Sequence, residues 1–250
     1  MQRRGSLLPW LVAAGSLAAA YRIWRDSFIP YYPGVALQNG LELLSRPRRV
    51  LAIGPHPDDL ECFVGGTLKL LTLNGSAVTM AVLSRGEGAT HRANIGEIRR
   101  KEAEEGATVL GAEIVQLSLP DGSIRPGPAL EESIDQLWRR VEPDLVLAFD
   151  PEGPLPFGTN QDHLALGAAV LKRARGAVRH GTRVYFYASP RPNVLVDVTE
   201  VILEKTNALR AHRSQLYGPD WVTSSFVRTV SRLSSRKGPA IYTEGLFRLV

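Results

Sequence analysis

Cysteine is almost missing from this chain: Cys62 is the only one in 250 residues. A lone thiol closes no internal disulfide and cannot build a cysteine-based structural zinc site. Aromatic residues are few, at 7%. The chain has no internal repeat, no low-complexity tract, no G-x-S-x-G serine elbow and no G-x-x-x-x-G-K phosphate loop. Serine-hydrolase and nucleotide-hydrolase chemistry therefore lack support. The 44% hydrophobic and 22% charged residues are ordinary for a globular chain and exclude a disordered or collagen-like one. The length is enough to bury one sizeable core.

The body of the chain also lacks net charge. The total is +5, yet residues 1–49 hold seven arginines against two acids, and the remainder balances at 23 basic and 23 acidic side chains. A nucleic-acid binder ordinarily carries a basic face on its folded domain, so no nucleic-acid partner is expected. A basic leader instead suits an anionic membrane surface. Leu7–Tyr21, LLPWLVAAGSLAAAY, is uncharged, and continuing through Trp24 gives 18 residues. At about 1.5 Å per residue a helix of that length spans roughly 27 Å, close to a thin bilayer.

Three readings fit this segment. Length, with Trp10, Tyr21 and Trp24 near its ends, favours a single-pass anchor. The basic start and Ala18-Ala19-Ala20 suit a cleaved signal peptide. The third reading is a helix packed on the domain's own surface. The expectation carried forward is a membrane-associated protein with an N-terminal apolar helix over 1–24 and a connector over 25–48. Arginines flank both ends, so sidedness stays open.

Beyond Arg49 the pattern becomes regular. Apolar runs at Val50–Gly54, Ala77–Leu83, Glu113–Leu117, Leu145–Phe149, Val184–Tyr187 and Val194–Val198 read as strands. Helical stretches are expected at Asp58–Leu73, Ile95–Leu110, Ala129–Val141, Asp162–Arg175 and Val201–Leu216, with a short helix at Gly40–Leu44. This alternation predicts an α/β domain over 49–250, a mostly parallel sheet covered on both faces. Ligands of such sheets bind outside the carboxyl ends of the strands.

Two strings stand at those ends. Pro55-His56-Pro57-Asp58-Asp59 follows the first strand and opens a helix. His56 and Asp59 are three apart across the turn and can converge on one point, a normal nitrogen–oxygen pair for zinc. Asp58 cannot point the same way as Asp59, so it can approach a metal-bound water without ligating the metal. Taken alone, the string also reads as acids at a helix start. Asn160-Gln161-Asp162-His163 brings a second imidazole to the same edge after a later strand. Three protein ligands with an open fourth position describe a catalytic zinc site, where a bound water becomes a nucleophile and a carboxylate takes its proton.

These strings resemble the LmbE / PIG-L zinc-dependent de-N-acetylases. The likeness takes in GPHPDDLECFVGGTL (54–68), SRGEG (84–88), the IRRKE helix with Arg99 and Glu102, and LPDG with Asp121. It continues through NQDH (160–163), LRAHRSQ (209–215) and YTEGLFR (242–248). The resemblance implies a Rossmann-like fold and zinc-dependent hydrolysis of the acetamide of an N-acetylglucosamine-type conjugate, which the leader would let be lipid-linked. Carried over by residue, His56, Asp59 and His163 hold the zinc and Asp58 is the general base. Arg99 and Asp121 shape the substrate pocket, Asp162 is a supporting carboxylate, and His212 is a histidine near the pocket.

One position departs from the family. Its second motif usually reads His-x-Asp-His, and Asn160 replaces the first histidine here. An amide can donate to an oxyanion but cannot act as an acid. Either Asn160 suffices, another residue such as His212 takes the role, or activity is weakened. A deacetylase of another small N-acyl metabolite and an impaired sugar- or lipid-binding relative remain the alternatives.

Overall fold

Val50 to Ile53 are fully buried, and four consecutive apolar residues without a solvent face require a strand covered on both sides. They form the centre of β2 in a sheet of eight strands. A computed structural model of the chain describes residues 38–45, 48–89, 92–153, 160–216, 219–234 and 240–250. The strands are β1 (Gln38–Asn39), β2 (Arg49–Gly54), β3 (Ala77–Ser84), β4 (Glu113–Leu119), β5 (Leu145–Phe149), β6 (Arg183–Tyr187), β7 (Val194–Asp197) and β8 (Thr243–Leu249). The helices are α1 (Leu41–Leu44), α2 (Asp59–Leu73), α3 (Ile95–Leu110), α4 (Pro128–Val141), α5 (Gln161–Ala177), α6 (Ile202–Arg210) and α7 (Asp220–Ser234).

The sheet order is β1-β7-β8-β6-β5-β2-β3-β4. All neighbours are parallel except β8, which runs antiparallel to both β6 and β7. Helices α2, α3, α6 and α7 pack on one another, and α4 packs with α5. Right-handed crossovers put these two groups on opposite faces. Chain order therefore reverses between β2 and β5, and a crevice opens outside their carboxyl ends. This is the mostly parallel α/β fold expected.

Three elements were not anticipated. β8 is interrupted in pattern by Glu244, Gly245 and Arg248, which hide its strand character. In α7, serine, threonine and valine are frequent and lower its helix propensity. β1 draws part of the expected connector into the sheet beside β7. Helix α6 is shorter than Val201–Leu216 because the chain turns after Arg210, where His212 and Ser214 meet buried carboxylates.

The expected membrane anchor requires correction. Among the described residues no helix is long and apolar enough to cross a membrane. The longest, α5, has 17 residues and carries Lys172, Arg173 and Arg175. Residues 1–24, on which the anchor and the N-terminal apolar helix were read, lie outside the described residues.

Helices α2 and α6 are joined to β8 by a buried ion pair. Lys205 Nζ donates to Glu244 Oε1 at 2.6 Å, with both side chains almost wholly buried. Glu244 also accepts from Gly66 N at 2.9 Å, Thr67 N at 2.7 Å and Thr67 Oγ1 at 2.6 Å. Four donors offset the cost of burying the carboxylate. Gly66 allows this approach, since a Cβ there would lie 2.6 Å from Val198. Breaking such a pair leaves an uncompensated charge. Lys205→Met is expected to destabilise the fold by about 3–5 kcal/mol. Lys205→Met/Glu244→Gln should recover part of that loss, as read from urea unfolding midpoints.

Candidate functional site

The turn from β2 into α2 is short and strained. Asp58 has φ +99°, a left-handed conformation that costs a non-glycine residue about 1–3 kcal/mol. The conformation turns consecutive carboxylates apart. Asp59 folds back, its Oδ2 accepting from the His56 N–H at 2.9 Å, while Asp58 stays partly exposed. Strain of this kind persists where surrounding contacts over-determine it.

His56, Asp59 and His163 converge. His56 Nδ1 lies 3.3 Å from Asp59 Oδ2, and His163 Nε2 lies 3.0 and 3.1 Å from the two Asp59 oxygens. The imidazole rings stand edge to face with centroids 5.0 Å apart. Helix α5 carries His163 close to the end of β5 because Gly167 has no side chain; a Cβ there would lie 2.6 Å from the Phe149 carbonyl oxygen. The His163 ring stacks on Phe149 at 4.3 Å, which fixes its plane. Two buried imidazoles and a carboxylate with facing donor atoms fit a borderline divalent metal such as zinc.

The other edge of His56 meets a second set of carboxylates. Its Nε2 is 3.1 Å from Asp121 Oδ1 and 3.2 Å from Asp162 Oδ2. These three could also surround an ion, but the acids already have donors. Asp162 accepts from Gly122 N at 2.7 Å, Ile124 N at 3.1 Å and Arg125 Nη1 at 3.4 Å. Asp121 Oδ2 accepts from Gly88 N at 2.7 Å. Carboxylates so engaged act better as acceptors that orient His56, leaving Nδ1 to face the triad. Asp121, expected at the substrate pocket, thus touches His56 directly.

Charge follows this geometry. Burial works against a charged His56, but hydrogen bonds and charges from Asp121 and Asp59 outweigh it and raise its pKa to about 11. Burial likewise opposes the Asp59 charge, yet the His163 and His56 contacts hold its carboxyl well below the usual range. Asp58 goes the other way. Burial and the neighbouring Asp59 charge lift it to about 7 against the pull of Arg99 and His212.

One expected residue sits differently from its expectation, and two more have partners the sequence did not name. His212 is fully buried, with Nε2 3.1 Å from Glu61 Oε1 outside hydrogen-bond alignment, so its ring does not line a pocket. Arg99 is buried and bonded to two backbone carbonyls, with Nη2 3.3 Å from Asp58 Oδ2. Asn160 caps α5, its Oδ1 accepting from Asp162 N at 3.0 Å, so its Nδ2 is the remaining donor. Glu61 and Glu102 stood in the sequence only as parts of the strings that carry the family likeness, with no role attached. Glu102 accepts from Ser214 N at 2.8 Å and Ser214 Oγ at 2.6 Å. The only signal was that both partners fall within strings quoted for the family likeness.

Asp162 joins the Asp121–Arg125 loop to α5, and Asp162→Ala removes the acceptor for two of its amides. A hydrogen bond to a charged group contributes about 1.5–3 kcal/mol, so exchange at Gly122 and Ile124 should accelerate roughly 10–100-fold. Amide exchange by NMR should show no such change in β2, such as at Ala52.

Comparison with known proteins agrees with this arrangement. The family model described as PIG-L, GlcNAc-PI de-N-acetylase, matches residues 51–174. The chain is 30% identical over 189 residues to a probable N-acetyl-alpha-D-glucosaminyl L-malate deacetylase 2 of Bacillus cereus, covering 67% of this chain and 84% of that protein. It is 28% identical over 221 residues to a diacetylchitobiose deacetylase of Thermococcus kodakarensis, covering 80% and 82%. Among solved structures, the N,N'-diacetylchitobiose deacetylase of Pyrococcus horikoshii superposes with TM-score 0.74 at 28% identity, over 82% of this chain and 85% of that one. With its paired histidines and aspartates at the crevice between β2 and β5, the chain belongs to the PIG-L/LmbE family.

Proposed function

We propose that this protein is a zinc-dependent N-deacetylase that hydrolyses the acetamide of an N-acetylglucosamine-type conjugate. The observation that carries this reading is the convergence of His56, Asp59 and His163 beside a carboxylate, Asp58, that is not part of the triad. Relatives named as deacetylases of diacetylchitobiose and of a glucosaminyl malate support the sugar amide as substrate class. His56 Nδ1, Asp59 and His163 Nε2 would hold the ion, which when bound supplies Lewis acidity toward water and the amide carbonyl.

The remaining roles belong to this chain's own groups. Asp58 takes a proton from the attacking water as its oxygen adds to the carbonyl carbon. The C–N bond then breaks, a proton passes to the departing nitrogen, and acetate and a free amine result. Asn160 Nδ2 donates to the carbonyl oxygen as negative charge builds there. Asp121 and Asp162 keep His56 in one orientation, and Asp162 also anchors the loop that carries Asp121. The domain responsible spans 49–250, together with the strand β1 that precedes it.

Incubation with a panel of N-acetylglucosaminides tests the reading, with acetate and free amine both measured. Release of the two in equal amounts is expected; a metal-loaded protein that releases neither from any member would overturn it. Asp58→Asn should keep its metal content while turnover falls about 10²–10⁴-fold, the usual range for a lost general base. His56→Ala/His163→Ala should lose the metal altogether, as read by elemental analysis after dialysis. Asn160→Asp retains the capping oxygen and deletes the Nδ2 donor. It should lower turnover about 10²–10³-fold with α5 intact by circular dichroism.

A further inference from the structure

Beside the metal-site crevice, the carboxyl ends of β3 and β4 and the first turn of α3 enclose an open cavity of about 660 Å³. That volume lies in the range of small-molecule sites. The cavity opens on the same edge of the sheet as the metal-site turn, since β2 pairs with β3 and β3 with β4, all parallel. Asp121 joins the two places. Glu87, in the cavity wall, accepts from Asp121 N at 3.1 Å through Oε1, and Asp121 Oδ1 lies 3.1 Å from His56 Nε2. The cavity is thus one residue removed from His56.

Its charged groups are not equally engaged. Both acids in the wall already have donors from the protein. Glu97 takes two hydrogen bonds from Arg100, at 2.9 and 2.6 Å, and Glu87 takes the one from Asp121 N. Arg85 differs. Its Nε donates to Ser118 Oγ at 3.0 Å, which holds the side chain across the ends of β3 and β4. Among the described residues its Nη1 and Nη2 have no acceptor. Arg92 lines the same cavity. Asn94 does so too, and its side chain makes no capping bond to α3. Gly96 lets α3 start close against Arg85, since a Cβ there would lie 3.2 Å from the Arg85 Cβ. With Arg100 included, three guanidiniums meet two carboxylates here, in a body whose charges otherwise balance.

We propose that this cavity is a subsite for the part of the conjugate beyond the acetylated sugar, and that Arg85 makes it select a partner group bearing a carboxylate or a phosphate. The inference rests on the deacetylase reading and adds the substrate's second half to it. A guanidinium with two unengaged nitrogens presents a planar fork that matches either oxyanion. The hydrogen bond to Ser118 fixes the fork beforehand, so little side-chain freedom is lost when the anion binds.

The test pairs methyl N-acetylglucosaminide with N-acetylglucosaminides whose aglycone carries a carboxylate or a phosphate. Arg85→Gln should lower kcat/KM for the charged members about 10–100-fold more than for the methyl glycoside, mainly by raising KM. Lys172→Gln removes a cation from α5, away from the cavity, and should leave that ratio unchanged. An equal loss on charged and neutral members, or no loss, would overturn the proposal. Binding is also read without catalysis, by titrating the holoenzyme with succinate, with inorganic phosphate and with glycerol as the uncharged control. At least one anion should shift the amide resonances of Gly96 and Ser118 where glycerol does not, and Arg85→Gln should abolish the shifts. The anion that acts distinguishes carboxylate from phosphate. Shifts with neither anion, or shifts that persist in Arg85→Gln, would overturn the proposal even if no glucosaminide proved to be a substrate. Absence of acetate release by the parent, with Arg85-dependent shifts present, would instead count against the deacetylase reading alone.

Discussion

Where β2 and β5 lie side by side, the connections that leave their carboxyl ends turn to opposite faces of the sheet. Backbone cannot fill the gap between those departures, so side chains from two remote segments face each other across it. His56 and Asp59 enter from the turn after β2, and His163 enters from the first turn of α5. Parallel pairing of Val50–Ala52 with Leu145–Leu147 sets the height of both segments. The stacking of His163 on Phe149, the last residue of β5, then leaves little freedom in the ring. The candidate metal centre is a consequence of strand register before it is a property of any one motif.

Charge in the interior is the second organising constraint. Glu61, Glu102, Asp162 and Glu244 are all buried. Asp162 satisfies backbone amides of the 120s loop, Glu244 satisfies those of α2 together with Lys205, and Glu102 satisfies Ser214. Glu61 faces His212. A buried carboxylate without partners is costly, and Asp162, Glu244 and Glu102 therefore fix the position of the groups that donate to them. The strings LRAHRSQ and YTEGLFR, far along the chain from the metal-site turn, are thereby tied to α2 and α3 behind it. Their part in the molecule is to brace the helices that carry the turn.

Much of this was legible in the amino-acid sequence. The alternation of apolar runs and helical stretches, the ordering of HPDD and NQDH after strands, and the absence of a second cysteine all depend on local pattern. They sufficed for the fold class and for the three residues that converge. Residues whose partners are distant were harder. Nothing near Glu244 names Lys205, and nothing near Asp121 states that it reaches His56, because a pair separated by tens of residues leaves no local signature. The leader shows the limit of composition in the other direction. An apolar run framed by arginines suited a membrane span, while among the described residues no helix has the length or the apolar character to cross one.

The sequence by itself determined which chemistry is available: imidazoles and carboxylates at two strand ends, an aspartate doublet, and an asparagine where the family usually has a histidine. Tertiary structure decided how those groups are used. It turned Asp58 away from Asp59 through a left-handed backbone, gave His56 two carboxylates behind one nitrogen, and enclosed His212 against Glu61. It also set Arg99 beneath Asp58, on the Pro57 carbonyl. The physical reason is one of range. Residue type and local period fix what a segment can donate or accept, while direction and distance depend on strand register and on helices packed from elsewhere in the chain.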